Sequence, residues 1–364
     1  MALSPARDAN RFVRETAALL LAKGIVRPDW FASGGALQLQ SDLKGAILAT
    51  HADDRNYVVK RRADDSKAAA LDSRLRREAV LLEIFRDSEI EAVERDFFPR
   101  LVHYDESVPL LVTQFVAGQD LFSHHREVWA CPPDVARDSA ASLAKLHLLS
   151  HPFSGGDEDG LCRGKPPWVL DIALDRFADR GPFNAAVTTL LHAIRDEPRF
   201  AFHLAKMKDE WTNRALIHGD LKWPNIIRKA DGSTRLIDWE HCDIGDPAWD
   251  VGSFLHSYLE FWILALPLDA TEDALEAADR AAWDFDGAQQ AMRAFWQVYE
   301  QQAGPLADDF PTRSAKAAGA RLLQTAYEQA HASDQISSQI RVMLQVGLNL
   351  LEDPEGSPAL LGLE

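Results

Sequence analysis

Apolar and polar positions along this chain change period several times, and the changes mark its elements. Residues 10–25, NRFVRETAALLLAKGI, set Phe12, Leu19, Leu20 and Ile25 among charges at helical spacing, with Gly24 as the stop. From 34 to 60 the period shortens. Leu37 and Leu39 alternate with Gln38 and Gln40, a polar turn follows at 41–45, an apolar run at 46–50, a charged turn at Asp53 and Asp54, and then Tyr57-Val58-Val59-Lys60. This predicts three antiparallel strands. Residues 73–87, SRLRREAVLLEIFRD, return to helical spacing, with Leu75, Val80, Leu82 and Phe85 on the apolar side and Glu78 in the first turns. Residues 98–116 hold two more β-rich runs around the acidic turn 105–107.

Beyond Gly118 the pattern is helical almost throughout. Residues 134–149 carry Val135, Leu143, Leu146 and Leu149 on one face, with Asp134 as the expected N-cap and His147 as a packed histidine. A polar insertion runs over 155–167. Trp262, Trp283 and Trp296 fall on expected core helices, and residues 254–266, interrupted by His256 and Glu260, read as a buried helix. Residues 353–364 read as a poorly ordered tail.

One stretch, 215–254, breaks this regularity and concentrates polar chemistry. Ala215-Leu216-Ile217 leads into His218-Gly219-Asp220; Ile226-Ile227 resumes the apolar pattern; KADGS at 229–233 is turn chemistry, because Asp-Gly tolerates positive φ; and Arg235-Leu236-Ile237 ends at Asp238. A hairpin here would bring Asn225 and Asp238 together. Two oxygen ligands beside the Asp220 carboxylate suit Mg2+, a hard cation usually held by few protein groups while phosphates and water complete its shell. Phosphoryl transfer is therefore the first chemistry to consider.

The segment resembles the catalytic and metal loops of the aminoglycoside phosphotransferase and choline kinase families, relatives of the protein kinases. His218-Gly219-Asp220 followed by Asn225 looks like H-G-D-x-x-x-x-N, and Ile237-Asp238-Trp239-Glu240 resembles the metal loop. The resemblance implies that Asp220 orients the attacking hydroxyl or takes its proton, that Asn225 and Asp238 hold Mg2+ against the phosphates of ATP, and that Lys222 can neutralise charge on the transferred group. It makes Lys60 and Glu78 an ion pair aimed at the α and β phosphates, and Gln114-Phe115-Val116 the hinge that receives the adenine. His218 is expected to bridge backbone groups, and Asp246 and Asp250 to cap and brace. The fold implied is α+β and bilobal, protein-kinase-like: a small β-rich lobe over residues 1–116, a larger helical lobe over 117–364, and nucleotide between them.

Composition narrows the partners. The formal net charge of −17 argues against nucleic-acid binding, which needs basic surface to neutralise phosphates. Cys131, Cys162 and Cys242 are odd in number and widely spaced, indicating neither a disulfide framework nor a zinc site. The first residues lack a basic region followed by an apolar core, and the apolar stretch 17–22 is too short for a membrane span, so the expected compartment is the cytoplasm.

Three readings of function stand side by side. The broadest is a kinase for a hydroxyl of a small molecule. Lys222 and Trp223 in HGDLKWPN depart from the commonest antibiotic-kinase pattern, and together with VVKRR, LRREA and PLLVTQFVAGQDL they are similar to phosphotransferases of lanthionine-type peptide biosynthesis. That similarity implies a Ser/Thr kinase acting on a precursor peptide. A nucleotide-binding pseudokinase is the third; retention of Lys60, Glu78, Asp220, Asn225 and Asp238 counts against it.

Overall fold

The computed structural model describes residues 5–39, 47–51, 56–61, 68–87, 97–149, 163–174, 183–267, 283 and 285–364. The expected turns at 41–45 and at Asp53 and Asp54, and Cys162 with most of the 155–167 insertion, lie outside them. By contacts the chain divides into two compact units: Met1–Gly118 with Arg235–His241, and Gln119–Thr234 with Cys242–Glu364.

In the first unit, helices α1 (Pro5–Ala22) and α2 (Pro28–Ala32) precede strands β1 (Ala36–Leu39), β2 (Ile47–Thr50) and β3 (Tyr57–Arg61), helix α3 (Ala68–Asp87), and strands β4 (Leu101–Asp105) and β5 (Leu110–Gln114). Helix α1 ends before Gly24, whose φ of +66° is the left-handed conformation glycine adopts without penalty. The strands form one antiparallel sheet in the order β1-β2-β3-β5-β4, with Val59 opposite Ile47 on one side and Val112 on the other. Alternation along β3 then separates two faces. Val59 joins Leu20, Val26, Trp30, Ile47 and Val112 in the core, and Arg61, on the same face, reaches Glu15 of α1 at 2.8 Å. Lys60 faces the other way.

Helix α3 buries Leu75, Leu82 and Phe85 at spacings of one and two turns, and Glu78 falls within that same stripe at 1% exposure. Phe85 stacks on Phe98 at 4.0 Å, and Phe98 packs on Trp239 at 4.6 Å. Trp239, also donating to the Leu236 carbonyl at 3.1 Å, anchors the returning segment Arg235–His241 in this unit.

The second unit begins with β6 (Gln119–Asp120), α4 (Leu121–Val128) and α5 (Pro133–Leu148), followed by α6 (Ala185–Asp196) and α7 (Pro198–Asp209). Next come β7 (Ala215–Ile217), β8 (Ile226–Arg228), β9 (Thr234–Leu236), whose last two residues count with the first unit, and β10 (Asp243–Gly245). The helices α8 (Pro247–Ala265), α9 (Phe285–Gln302), α10 (Phe310–Ala330), α11 (Ser338–Glu352) and α12 (Gly356–Leu360) complete it. β7 pairs antiparallel with β10, and β6 with β8. The turn after β8 is the expected Asp-Gly reversal, with Gly232 at φ +86°.

Helix α8 is buried nearly all round. It approaches α10 closely enough that a Cβ on Gly252 would lie 2.4 Å from the Ser314 carbonyl. Ala317 and Ala318 line the same close crossing. Helix α5 packs against α9.

Three local expectations are corrected. The N-cap of α5 is Pro132; Asp134 lies in the first turn, with its carboxylate 3.3 Å from Arg228 Nη2. Trp262 is half-buried on α8, whereas the buried Trp283 lies outside the described helices and packs edge-on to Phe261 at 4.5 Å. The tail is ordered: α12 is followed by Leu361 and Leu363, exposed by only 0% and 2%, because a few apolar side chains find a groove that linear pattern does not reveal. Leu361→Ala is therefore expected to cost roughly 2–5 kcal/mol, as buried leucine truncations do, read as a lowered urea midpoint. A frayed tail would leave the midpoint unchanged.

Candidate active site

Within the first unit, Lys60 and Glu78 meet across the face of the sheet opposite α1. Lys60 Nζ lies 2.7 Å from Glu78 Oε2 and 2.5 Å from Asp238 Oδ1. Burial opposes charge on the ammonium, but the Glu78 and Asp238 carboxylates outweigh it and hold the lysine well above its ordinary pKa. For Glu78 burial is the largest influence and raises its pKa; Lys60 opposes this, and Asp238 and Glu240 reinforce it. Asp238 itself has φ +66°, the left-handed region that a short polar side chain tolerates better than most.

Within the second unit the loop after β7 is held from below. Asp250, wholly buried in the first turn of α8, accepts from the backbone amides of His218 at 2.6 Å and Gly219 at 3.0 Å. Trp249 Nε1 donates to the Gly219 carbonyl at 3.1 Å, and Gly219 supplies the positive φ of +78° that the turn needs. Asp246 caps the same helix through the Ala248 amide at 3.0 Å and pairs with Arg313. These are the bracing roles expected of both aspartates. His218 is fully buried and His147 packs between Tyr299, 2.7 Å away, and Asp250, 3.4 Å away.

Asp220 follows at 4% exposure. Asn225 Nδ2 donates to its carbonyl at 2.8 Å and its Oδ2 at 3.3 Å, Lys222 Nζ lies 3.1 Å from Oδ2, and Arg321 Nη2 donates to Oδ1 at 2.9 Å. The Asn225 amide nitrogen is thus committed to Asp220, which leaves its side-chain oxygen as an acceptor. Among the described residues no group of three or more His, Cys, Asp or Glu could hold a metal ion. Asn225 in the second unit and Asp238 in the first each carry a side-chain oxygen, the donor type that hard cations take.

Gln114, Phe115 and Val116 lie at the end of β5 and just beyond it. The Gln114 amide donates to the Arg100 carbonyl at 2.8 Å and the Phe115 amide to the Asn56 carbonyl at 2.9 Å, so both are spent on holding the strand end; Val116 follows, half-buried. Trp223, counted in the sequence among substrate-related departures, is wholly buried instead. It stacks on His125 at 4.0 Å and meets Tyr258 edge-on at 4.7 Å, which removes it from contact with an acceptor.

Arg321 escaped the sequence reading because it comes from α10, a hundred residues beyond the loop. A signal was present: a single cation among Ala317, Ala318 and Ala320, where small residues mark close packing and a charge must find a partner. It lies on a polar stripe with Gln324, Thr325 and Glu328, and α8 presents a matching stripe of Ser253, His256, Ser257 and Glu260 at one-turn spacing. His256 Nε2 is 2.8 Å from Thr325 Oγ1, and burial, helped by the Arg321 charge, lowers its pKa to about 3, so the imidazole is neutral.

Residues 38–286 match the model of the phosphotransferase enzyme family, APH, and the protein belongs to that family. No curated protein matches the sequence. Among solved structures it is similar to the choline kinase LicA of Streptococcus pneumoniae, at 14% identity over 93% of this chain and 99% of that one, with a TM-score of 0.56. A choline/ethanolamine kinase family protein of Mesorhizobium loti gives 15% identity over 97% and 100%, with a TM-score of 0.52. The ethanolamine kinase of Plasmodium vivax gives 16% over 92% and 85%, with a TM-score of 0.50. The fold is thus kinase-like, mixed α/β, with an antiparallel sheet in its N-terminal region and helices in its C-terminal region. No helix among the described residues is long and apolar enough to cross a membrane.

Glu260 gives this region a pH signature. Burial, countered in part by Arg321 and Lys222, pushes its pKa from 4.5 to about 7. A raised carboxyl binds its proton more tightly in the folded state, so its contribution is present below about pH 4.5 and is lost as pH rises toward 7. Glu260→Gln, neutral throughout, lacks that loss. Its stability relative to the parent is expected to rise by roughly 1–2 kcal/mol between pH 5 and 8, a figure reduced for the 23% of the side chain left in solvent, and denaturation at several pH values measures it. A difference independent of pH would refute the raised pKa.

Proposed function

We propose that this protein is a kinase that moves the γ-phosphoryl group of ATP, with Mg2+, to a hydroxyl of a small-molecule acceptor. The observation that carries the reading is the half-buried Lys60 ammonium held between Glu78 and Asp238, in a chain of the phosphotransferase family. In this reading Lys60 binds the α and β phosphates, Val116 presents backbone to the base, and Asn225 and Asp238 hold Mg2+, which would supply neutralisation of phosphate charge. Asp220 orients the acceptor hydroxyl and receives its proton. Lys222, anchored 3.1 Å from Asp220, meets charge on the transferred group. Such sites work by positioning and electrostatics.

Lys222 also favours a second reading. A lysine two residues past the base is the protein-kinase arrangement, and its proximity to Asp220 suits transfer to Ser or Thr of a precursor peptide. The deciding experiment offers γ-labelled ATP with hydroxyl-bearing small molecules, choline and ethanolamine among them, and separately with Ser/Thr-containing precursor peptides. Label in a small molecule supports the first reading, label in peptide the second, and no nucleotide binding or turnover refutes both.

Two variants test the roles. Asp220→Asn preserves size and hydrogen bonding, so Mg-ATP binding should persist while transfer slows by roughly a hundred- to ten-thousandfold in single-turnover measurements. Asp238→Ala should abolish turnover in protein that still melts cooperatively; normal activity in that folded variant would remove Asp238 from the metal site.

A further inference from the structure

We infer that Arg321 is a positioning residue for the reaction, acting through Asp220 by fixing the plane of its carboxylate. The inference rests on the role proposed above for Asp220.

Donors from two separate elements meet that carboxylate. Lys222 at 3.1 Å and Asn225 at 3.3 Å lie on Oδ2, both from the loop that carries Asp220 itself, whereas Arg321 takes Oδ1 at 2.9 Å from a helix a hundred residues on. Rotation about χ2 would exchange or break these contacts, so the side chain has one orientation. Lys222 and Asn225 alone cannot supply this, since a loop can shift as a body; Arg321 ties the orientation to α10. That helix is itself immobilised against α8, whose first turn holds the loop backbone through Asp250. Backbone and side chain are thus referred to the same helix pair.

The environment of Arg321 speaks for function over packing. It is 1% exposed, and its guanidinium lies 5.9 Å from the Trp249 ring. Its Nε is buried with no hydrogen-bond partner. A side chain selected for stability alone would be better satisfied as an apolar residue, because a buried ion pair seldom outperforms well-packed hydrocarbon. His256, on the facing stripe of α8, is engaged with Thr325 Oγ1 at 2.8 Å. Arg321 touches no reacting atom in this scheme; its effect is on geometry, so loss should fall on turnover and not on nucleotide affinity.

The test uses the full-length protein, Mg-ATP and water as the acceptor probe, with ADP release per folded molecule as the readout. Arg321→Met is expected to lower kcat ten- to a hundredfold while KM for ATP and calorimetric Mg-ATP affinity stay within about twofold. Arg321→Lys should recover part of the loss. The decisive comparison is the cycle with Asp220→Asn: if Arg321 acts through Asp220, the double variant is no slower than Asp220→Asn alone. Additive losses, unchanged kcat in Arg321→Met, or loss of the fold in both Arg321 variants would overturn the inference and leave Arg321 as scaffold. Parent protein with neither ATP binding nor turnover would overturn the proposed function itself, a result distinct from an additive cycle in an active enzyme.

Discussion

The contact on which the second unit depends is the hold of Asp250 on two successive backbone amides. A carboxylate buried to 0% exposure is tolerable only when its oxygens are met by donors, and the His218 and Gly219 amides meet both. The same two bonds define the turn after β7, because two adjacent amides can converge on one carboxylate only if the chain curls around it. Gly219, with its positive φ, makes that curl possible. Asp220 is the next residue, so its position follows from a contact it does not itself make.

Both units meet the same electrostatic problem and answer it alike. Lys60, half-buried, is kept charged by two carboxylates, and buried Asp220 is met by two cations and an amide. Pairs of this kind differ from the exposed ones on the surface, such as Arg11 with Glu15, which contribute little. Removing one member of a buried set leaves an uncompensated charge, so these residues are mutually dependent. For the kinase chemistry proposed here that dependence is useful, since transfer of a phosphoryl group asks the protein for fixed charges at fixed places more than for covalent participation.

Aromatic packing sets the remaining tolerances. Trp223 is clamped by His125 and Tyr258, and burial lowers the His125 pKa to about 4, so the stack involves a neutral ring. Trp239 performs the equivalent service beside Asp238, pinned by Phe98 and by its bond to the Leu236 carbonyl. Each candidate loop therefore carries a tryptophan next to or near its functional carboxylate as a buried anchor. An exposed ligand-binding role for Trp223 is incompatible with that burial.

The periodicities alone determined the five strands of the sheet, the apolar side of α3 at Leu75, Leu82 and Phe85, and the strand-loop-strand order around Asp220, Asn225 and Asp238, whereas the start of α3 at Ala68 and the burial of Glu78 in that stripe came only from the structure. The former are local: alternation, helical spacing and Asp-Gly turn chemistry act within a few residues. The exchange of β3 faces, with Arg61 toward α1 and Lys60 toward Glu78, is also contained in the alternation once one face is known. What the chain could not state by itself depends on distant partners. The order of α12 and the burial of Leu361 need a groove built by other helices. The interior position of Trp223 needs His125 and Tyr258, and the second cation on Asp220 needs α10, brought there by a close helix crossing at Gly252. A linear pattern can say that Arg321 among alanines must be paired, but only the packing of α8 against α10 decides that its partner is Asp220, because the partner of a buried charge is fixed by proximity in space and not by spacing along the chain.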